Sequence, residues 1–281
     1  MKAGRASRTS EYVCMGRAIA HGRTLPGRFS DPTALPLLAA ADREVVERIR
    51  RGEGTLRPLK AIGKAYLLRQ SLAMVARTVF IDDAIREANH PQLVILGAGL
   101  DGRAYRLSEL AQTTVFEVDH PDTQRDKLER ARPLTAVARE VKHVPVNFER
   151  DSLDDALESA GHDRARPTTW VWEGVVMYLD PKDVEATLAK IVKRSAPGSR
   201  LVVNYHQPLW VRAVLGVFLK RVGEPLKSSY SPDEMRALLQ RHGFTVRRDQ
   251  NVYDILCGLD AQLGERLRGI SHLRLAVGDL T

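Results

Sequence analysis

Apolar residues in the first third of the chain come in short helical fragments between Tyr12 and about Lys64, broken at Gly22, Pro26-Gly27, Asp31-Pro32 and Arg51-Gly-Glu-Gly54. The apolar positions of Ala34 to Ile49 recur at helical spacing. Arg69 to Ala88 predicts the clearest long helix, with Leu72, Val75, Ala76, Val79 and Phe80 on one face. Its other face is unusual. Between Arg69 and Asp82 the only charge is Arg77, which at about 100° per residue falls among Ala73, Met74, Ile81 and Ala84.

From Leu93 the pattern changes to strands alternating with helices, which predicts an α/β fold with a parallel sheet covered on both faces. Strands are expected at about 93–98, 113–118, 141–147, 168–174 and 199–205, with two more at Phe244 to Val252 and His272 to Val277, joined by an irregular connection. Asp180-Pro181 opens a helix with an N-cap and a proline at its first position. Ser231-Pro-Asp-Glu234 is a capping box for a helix that Gly243 closes. Between these helices Leu209 to Leu219 is apolar on almost every face, with Trp210 and Phe218, and so requires cover on all sides. The expected organisation is a disordered stretch 1–10, a helical cap 11–90, and a sheet domain 91–281 carrying a lid insertion at 208–230.

Chemistry gathers where the pattern changes. Leu93 to Leu96 runs into Gly97, Gly99 and Gly102, a strand-to-glycine turn that exposes backbone N–H groups to an anionic or nucleoside ligand. Asp119 lies twenty residues past Gly99, at the end of Thr113-Thr-Val-Phe-Glu-Val-Asp119, where a carboxylate can accept two hydrogen bonds from a ribose diol. The chain is therefore expected to bind an adenosine-containing cofactor.

Composition removes several alternatives. The 281 residues are enough for one large domain with a cap, and 43% of them are apolar. Cys14 and Cys257 stand far apart, outside any metal-binding or disulfide spacing, which with the absence of a secretory pattern or an apolar run of membrane length predicts a cytoplasmic protein without a metal. The net charge of +8 is spread along the chain without a Lys/Arg stripe interleaved with aromatics. It reads as solvated surface, or as steering of acidic small molecules, rather than a nucleic-acid footprint.

Taken literally, Gly97-x-Gly99-x-x-Gly102 with Asp119 also spells the dinucleotide fingerprint of NAD(P)-dependent oxidoreductases, and Tyr178-x-x-x-Lys182 imitates a short-chain dehydrogenase pair. Asp180-Pro181 starts a helix between that Tyr and Lys, so they cannot stack one turn apart, and about ninety residues of helical material precede the glycines. Seven strands with the motif on the first instead suit a Rossmann-like class I methyltransferase that uses S-adenosylmethionine (SAM).

Ser10, Arg17, Phe29-Ser-Asp-Pro32, Arg77, Leu96-Gly-Ala-Gly-Leu-Asp-Gly-Arg-Ala-Tyr-Arg-Leu107, Val115-Phe-Glu-Val-Asp-His-Pro121 and Trp172-Glu-Gly-Val-Val-Met-Tyr-Leu179 together resemble the leucine carboxyl methyltransferase family, which includes bacterial O-methyltransferases, some acting on polyketides. The resemblance covers roughly residues 8 to 206. It implies a SAM-dependent O-methyltransferase whose product is S-adenosylhomocysteine. Arg77, helped by Arg17, is then expected to hold the methionine carboxylate. Gly97, Ala98, Gly99 and Asp101 form the loop, Asp119 takes the ribose, and Glu173 faces the cofactor's amino group. Where the family often has Asp-Leu against adenine, this chain has Asn147-Phe148, and the element before Ala34 reads Asp31-Pro-Thr.

The expected acceptor is a small aromatic or acidic molecule, a carboxylate or a phenol of natural-product type; a SAM-binding protein without catalysis, or one aimed at RNA, is the reading from another class. A carboxylate needs no base, whereas a phenol draws on Tyr178, Tyr205, His206 or, in the cap, His21. The chain is expected to act as a monomer or a homodimer, without a membrane partner.

Overall fold

The computed structural model describes residues 8–53, 58–148, 150–208 and 226–281. Four helices come first: α1 (Arg8–Ala20), α2 (Ala34–Leu37), α3 (Ala40–Arg50) and the long α4 (Pro58–Ala88). Then β1 (Gln92–Leu96), α5 (Arg103–Arg106), β2 (Thr114–Asp119), α6 (Pro121–Ala131), β3 (Glu140–Pro145), α7 (Leu153–Ser159), β4 (Thr168–Trp172), α8 (Pro181–Lys193) and β5 (Arg200–His206) alternate. The chain closes with α9 (Pro232–Arg241), β6 (Phe244–Asn251), α10 (Val252–Leu259), α11 (Ala261–Glu265) and β7 (Leu273–Leu280).

The seven strands form one sheet in the order β3-β2-β1-β4-β5-β7-β6. β1 to β5 pair in parallel, and β7 runs antiparallel to both β5 and β6. Strand alternation divides the apolar residues between two faces. Leu93, Ile95, Val115 and Val171 pack with Leu72, Val75 and Val79 of α4 and Leu256 of α10. Val94, Leu96, Phe116, Trp170 and Trp172 pack on the other side with Val184, Leu188 and Ile191 of α8 and Met235 and Leu238 of α9. Because consecutive residues serve opposite layers, the central strands carry no polar side, as burial on both faces requires.

The middle of α4, residues 71–82, is buried around its whole girth because it is covered on both sides. One face lies in the sheet core, and at the other α1 crosses so closely that a Cβ on Gly16 would sit 2.9 Å from Met74 Cγ. A third cluster joins Cys14, Met15, Ala18 and Ile19 of α1 to Leu37, Val46 and Ala131, and includes Leu100 from the turn after β1. The N-terminal helices are thus packed onto the carboxyl end of β1.

The anticipated strands all form, within a few residues of their expected ends. The capping box is made in both directions, Glu234 N to Ser231 Oγ at 3.2 Å and Ser231 N to Glu234 Oε2 at 2.7 Å. Two expectations need correction. Helix α1 begins at Arg8, inside the stretch read as disordered, and the link between β6 and β7 is two short helices rather than irregular chain. Most of the lid insertion, including Trp210 and Phe218, lies outside the described residues. Its return is anchored, with Ser228 Oγ donating to Val176 O at 2.8 Å beside a single turn at Val176–Tyr178.

Candidate functional site

The turn after β1 folds back over the end of β2. Gly97 N and Ala98 N both donate to Val118 O, at 2.9 and 3.0 Å. Gly97 has φ of +70°, and a Cβ there would lie 2.5 Å from Val175 Cγ2, so the position demands glycine for backbone and for space alike. Asp119 closes the turn from the next strand: Oδ2 accepts from Gly99 N at 2.5 Å and Oδ1 from His120 N at 2.6 Å. Burial raises the pKa of Asp119, with the two N–H bonds opposing. The twenty-residue spacing from Gly99 therefore corresponds to a direct contact. The helix after the turn, α5, is only four residues long and brings no macrodipole of consequence, and the N–H groups of Gly97, Ala98 and Gly99 are taken up by Val118 O and Asp119.

Behind the turn lies a buried lattice of four guanidinium groups and four carboxylates, Arg17, Arg77, Arg103 and Arg106 with Asp31, Asp82, Asp101 and Glu173. Arg77, 4% exposed, places Nε 2.6 Å from Glu173 Oε1, but the N–H does not point at that oxygen, leaving Nε buried without a hydrogen bond. The other oxygen, Oε2, accepts a well-formed bond from Arg103 Nη1 at 2.8 Å. Arg103 also donates from Nε to Asp82 at 2.8 Å and from Nη1 to Asp101. Asp82 in turn receives Arg106 at 2.7 Å, and Arg17 joins Asp31 at 2.7 Å to the turn carbonyl of Leu100 at 2.6 Å. Burial alone pushes Glu173 upward, yet Arg77, Arg103 and Arg17 outweigh it and hold the carboxyl down at about 2. For Arg77 the balance is reversed: burial lowers its pKa and Glu173 restores only part.

Arg17, Arg77, Gly97, Ala98, Gly99, Asp101, Asp119 and Glu173 are thereby brought together at the carboxyl ends of β1, β2 and β4. Asn147 is one strand beyond, where Val146 N donates to Asp119 O at 2.8 Å, and Phe148 beside it is 46% exposed. Tyr178 is half-buried in the turn after β4. His206 ends β5 edge-to-face with His272, ring centroids 5.5 Å apart. His21 is engaged locally, its Nδ1 3.2 Å from Asp31 N.

Tyr205 requires correction. It is fully buried, donates to Asp249 Oδ2 at 2.6 Å and accepts from Arg274 Nε at 3.1 Å, tying β5 to β7 and β6. Burial and Asp249 raise its pKa further, so it is no accessible base. Replacing Tyr205 by Phe is expected to lower unfolding stability by about 1–2 kcal/mol in chemical denaturation while turnover stays within about twofold of the unaltered chain. A collapse in turnover at intact stability would restore Tyr205 to the chemistry.

Sequence reasoning gave no role to Arg103 and Asp31, which lie inside its motifs, and missed Asp82 and Asn204. The last is buried in β5, where its Oδ1 accepts from Gly174 N at 3.2 Å and fixes the turn holding Glu173. Its signal was a polar amide inside an apolar strand. Among the described residues no group of three or more His, Cys, Asp or Glu is arranged to hold a metal ion, and no helix is long and apolar enough to cross a membrane.

The donor set fits SAM. A buried Nε–H without a hydrogen bond at Arg77 suits a carboxylate, the carboxylate of Glu173 suits an ammonium, and the glycine turn with Asp119 leaves backbone close enough for a sugar. A sheet of this order with a reversed last strand, glycines after β1 and an acid ending β2 defines a class I SAM-dependent methyltransferase. Solved structures agree on the fold: a DUF574 family protein from Streptomyces avermitilis MA-4680 superposes with a TM-score of 0.61 at 14% identity, covering 99% of each chain. One from Thermobifida fusca YX, provisionally called a methyltransferase, gives 0.58 at 17% identity over 100% of this chain and 97% of that one.

The chain belongs to the leucine carboxyl methyltransferase family, whose model matches residues 10–192. A Mycobacterium sp. (strain JLS) protein with the provisional name S-adenosyl-L-methionine-dependent methyltransferase is 34% identical over 267 residues, 95% of this chain and 80% of that protein. A second of the same provisional name, from strain KMS, is 40% identical over 207 residues, 70% of this chain and 65% of that protein's length. The dinucleotide reading of the glycines is thereby set aside: this is a SAM-dependent methyltransferase.

Proposed function

We propose that the chain transfers the methyl group of SAM to an oxygen of a small molecule, with a carboxylate as the first choice of acceptor. SAM supplies an activated methyl on a sulfonium sulfur, displaced in line by the acceptor oxygen, a reaction that rests on alignment and exclusion of water. In this reading Arg77 turns from Glu173 to bind the methionine carboxylate, and Arg17 adds positive charge from α1. Glu173 takes the ammonium. Gly97 to Gly99 run beside the methionine and ribose portions, and Asp119 exchanges its backbone N–H partners for the ribose hydroxyls. Asn147 and Phe148 border the adenine.

The observation that carries the choice of a carboxylate is the state of the candidate bases. Tyr205 is consumed by Asp249 and Arg274, and His21 by the Asp31 turn, so a site with few accessible bases suits an acceptor already ionised at neutral pH. The pair His206 and His272 supports the second reading, a phenol, because burial lowers the pKa of His272 and keeps its ring neutral. The two separate cleanly with methyl-labelled SAM and a panel of small aromatic acids and phenols. A methyl ester releases labelled methanol in mild alkali and a methyl ether does not. Alkali-labile label is the expected outcome; alkali-stable label on a phenol would move the assignment to the His pair, and label on neither class would end the small-molecule oxygen reading.

A further inference from the structure

Glu173 carries two arginines that are held in different ways. Arg77 meets it through Nε at 2.6 Å, off the line of a hydrogen bond. Arg103 binds it correctly, and Arg103 is itself fixed: 3% exposed, with Nε on Asp82 of α4 and Nη1 shared between Asp101 of the glycine turn and Glu173 at the end of β4. Its own backbone N donates to Asp101 Oδ1 at 2.7 Å. Asp82 is fixed in turn by Arg106, whose Nη1 and Nη2 donate at 2.7 and 3.0 Å.

We infer that Arg103 is a positioning residue for the amino-acid end of the cofactor: it keeps Glu173 ionised and aimed when Arg77 turns to the cofactor's carboxylate. The inference rests on the assignment of Arg77 and Glu173 to that end, and adds to it the group that makes the exchange possible. A carboxylate held by Arg77 alone would have no fixed partner to orient it once Arg77 turns away to the ligand. With Arg103 beneath it, Glu173 keeps one charge-assisted bond throughout, in a direction set by the glycine turn through Asp101. The planar fork is essential, because one guanidinium here spans three carboxylates from three elements, which a single ammonium cannot reproduce.

The test uses two ligands on the full chain. S-adenosylhomocysteine has the amino-acid end, and 5′-methylthioadenosine has the adenosine and thioether without it. Titration of the second by NMR into the millimolar range reads weak adenosine binding. In Arg103→Gln, S-adenosylhomocysteine affinity should fall at least tenfold while 5′-methylthioadenosine affinity stays within about twofold. Should that variant not fold, Arg103→Lys retains the buried charge, and its ratio of the two affinities should shift in the same direction. Equal losses for both ligands would make Arg103 a purely structural residue, and no loss for either would remove it from the site, so both overturn the inference. Arg77→Ala is the separate control. Unchanged S-adenosylhomocysteine affinity in that variant would refute the assignment of the amino-acid end itself, whatever Arg103 does.

Discussion

Replacing Glu173 by Gln is expected to remove about 3 kcal/mol or more of folding stability at pH 7, together with most of the SAM affinity, because breaking one member of a buried charge cluster strands its partners. Four arginines would then face three acids, Asp31, Asp82 and Asp101, in a region where none of the four is more than 9% exposed at its side chain. The pH dependence gives the prediction its sign. Glu173 is held at about 2 in the folded chain against an ordinary 4.5. A group whose folded pKa is depressed contributes stability that is complete above its unfolded value and is lost as the pH falls through its folded one. Its contribution therefore disappears between about pH 4.5 and 2, and the shift corresponds to about 3 kcal/mol at neutral pH. Urea denaturation of both proteins at pH 7, 4 and 3 should show a gap in stability that narrows toward acid. A gap that stays constant with pH would mean the loss comes from packing or hydrogen bonding, and that the charge on Glu173 is not what stabilises the lattice.

How far the sequence reaches depends on the range of the interactions. The sheet was legible because its strands are local apolar runs bounded by Gly, Pro and capping residues, and helices such as Pro181–Lys193 carry their boundary signals within a few residues. α10 and α11 are too short to show a helical period and were read as irregular chain. At the site, Arg77 stood out as a charge in an apolar helix, but its contact with Glu173 spans almost a hundred residues and no local pattern names it. Arg103 lies inside the glycine motif, but nothing local gives it a role, which comes from the three carboxylates that meet it in three dimensions. Tyr205 was misread for a different reason. Neighbours in a strand face opposite ways, so Tyr205 and His206 cannot both line one pocket, and the pleat alone argued for choosing between them.

Gly102→Ala is expected to cost about 1–3 kcal/mol of stability and to weaken SAM binding severalfold, through overpacking at one point. In the sequence Gly102 completes the dinucleotide-like spacing of the glycines, a reading the methyltransferase fold does not need. Its φ of −111° would indeed suit any residue. The constraint is space. A Cβ at this position would overlap Thr33 Oγ1 and stand 3.0 Å from Thr33 Cβ. Thr33 has little room to retreat: it is 3% exposed, and its hydroxyl donates to Asp31 Oδ1 at 2.6 Å while Asp31 Oδ2 accepts from Arg17. A methyl group on residue 102 therefore presses through Thr33 and Asp31 onto Arg17, the residue that joins α1 to the glycine turn at Leu100 O. That route predicts strong non-additivity. Thr33→Ala alone should lose about 1 kcal/mol for its hydroxyl bond, yet in the Gly102→Ala background it should restore stability by removing the overlapping oxygen. A thermal-melting cycle over the four proteins measures this directly. If the two losses simply add, the clash with Thr33 is not the reason residue 102 is glycine, and the close packing of Asp31 and Thr33 against the cofactor turn does not constrain it.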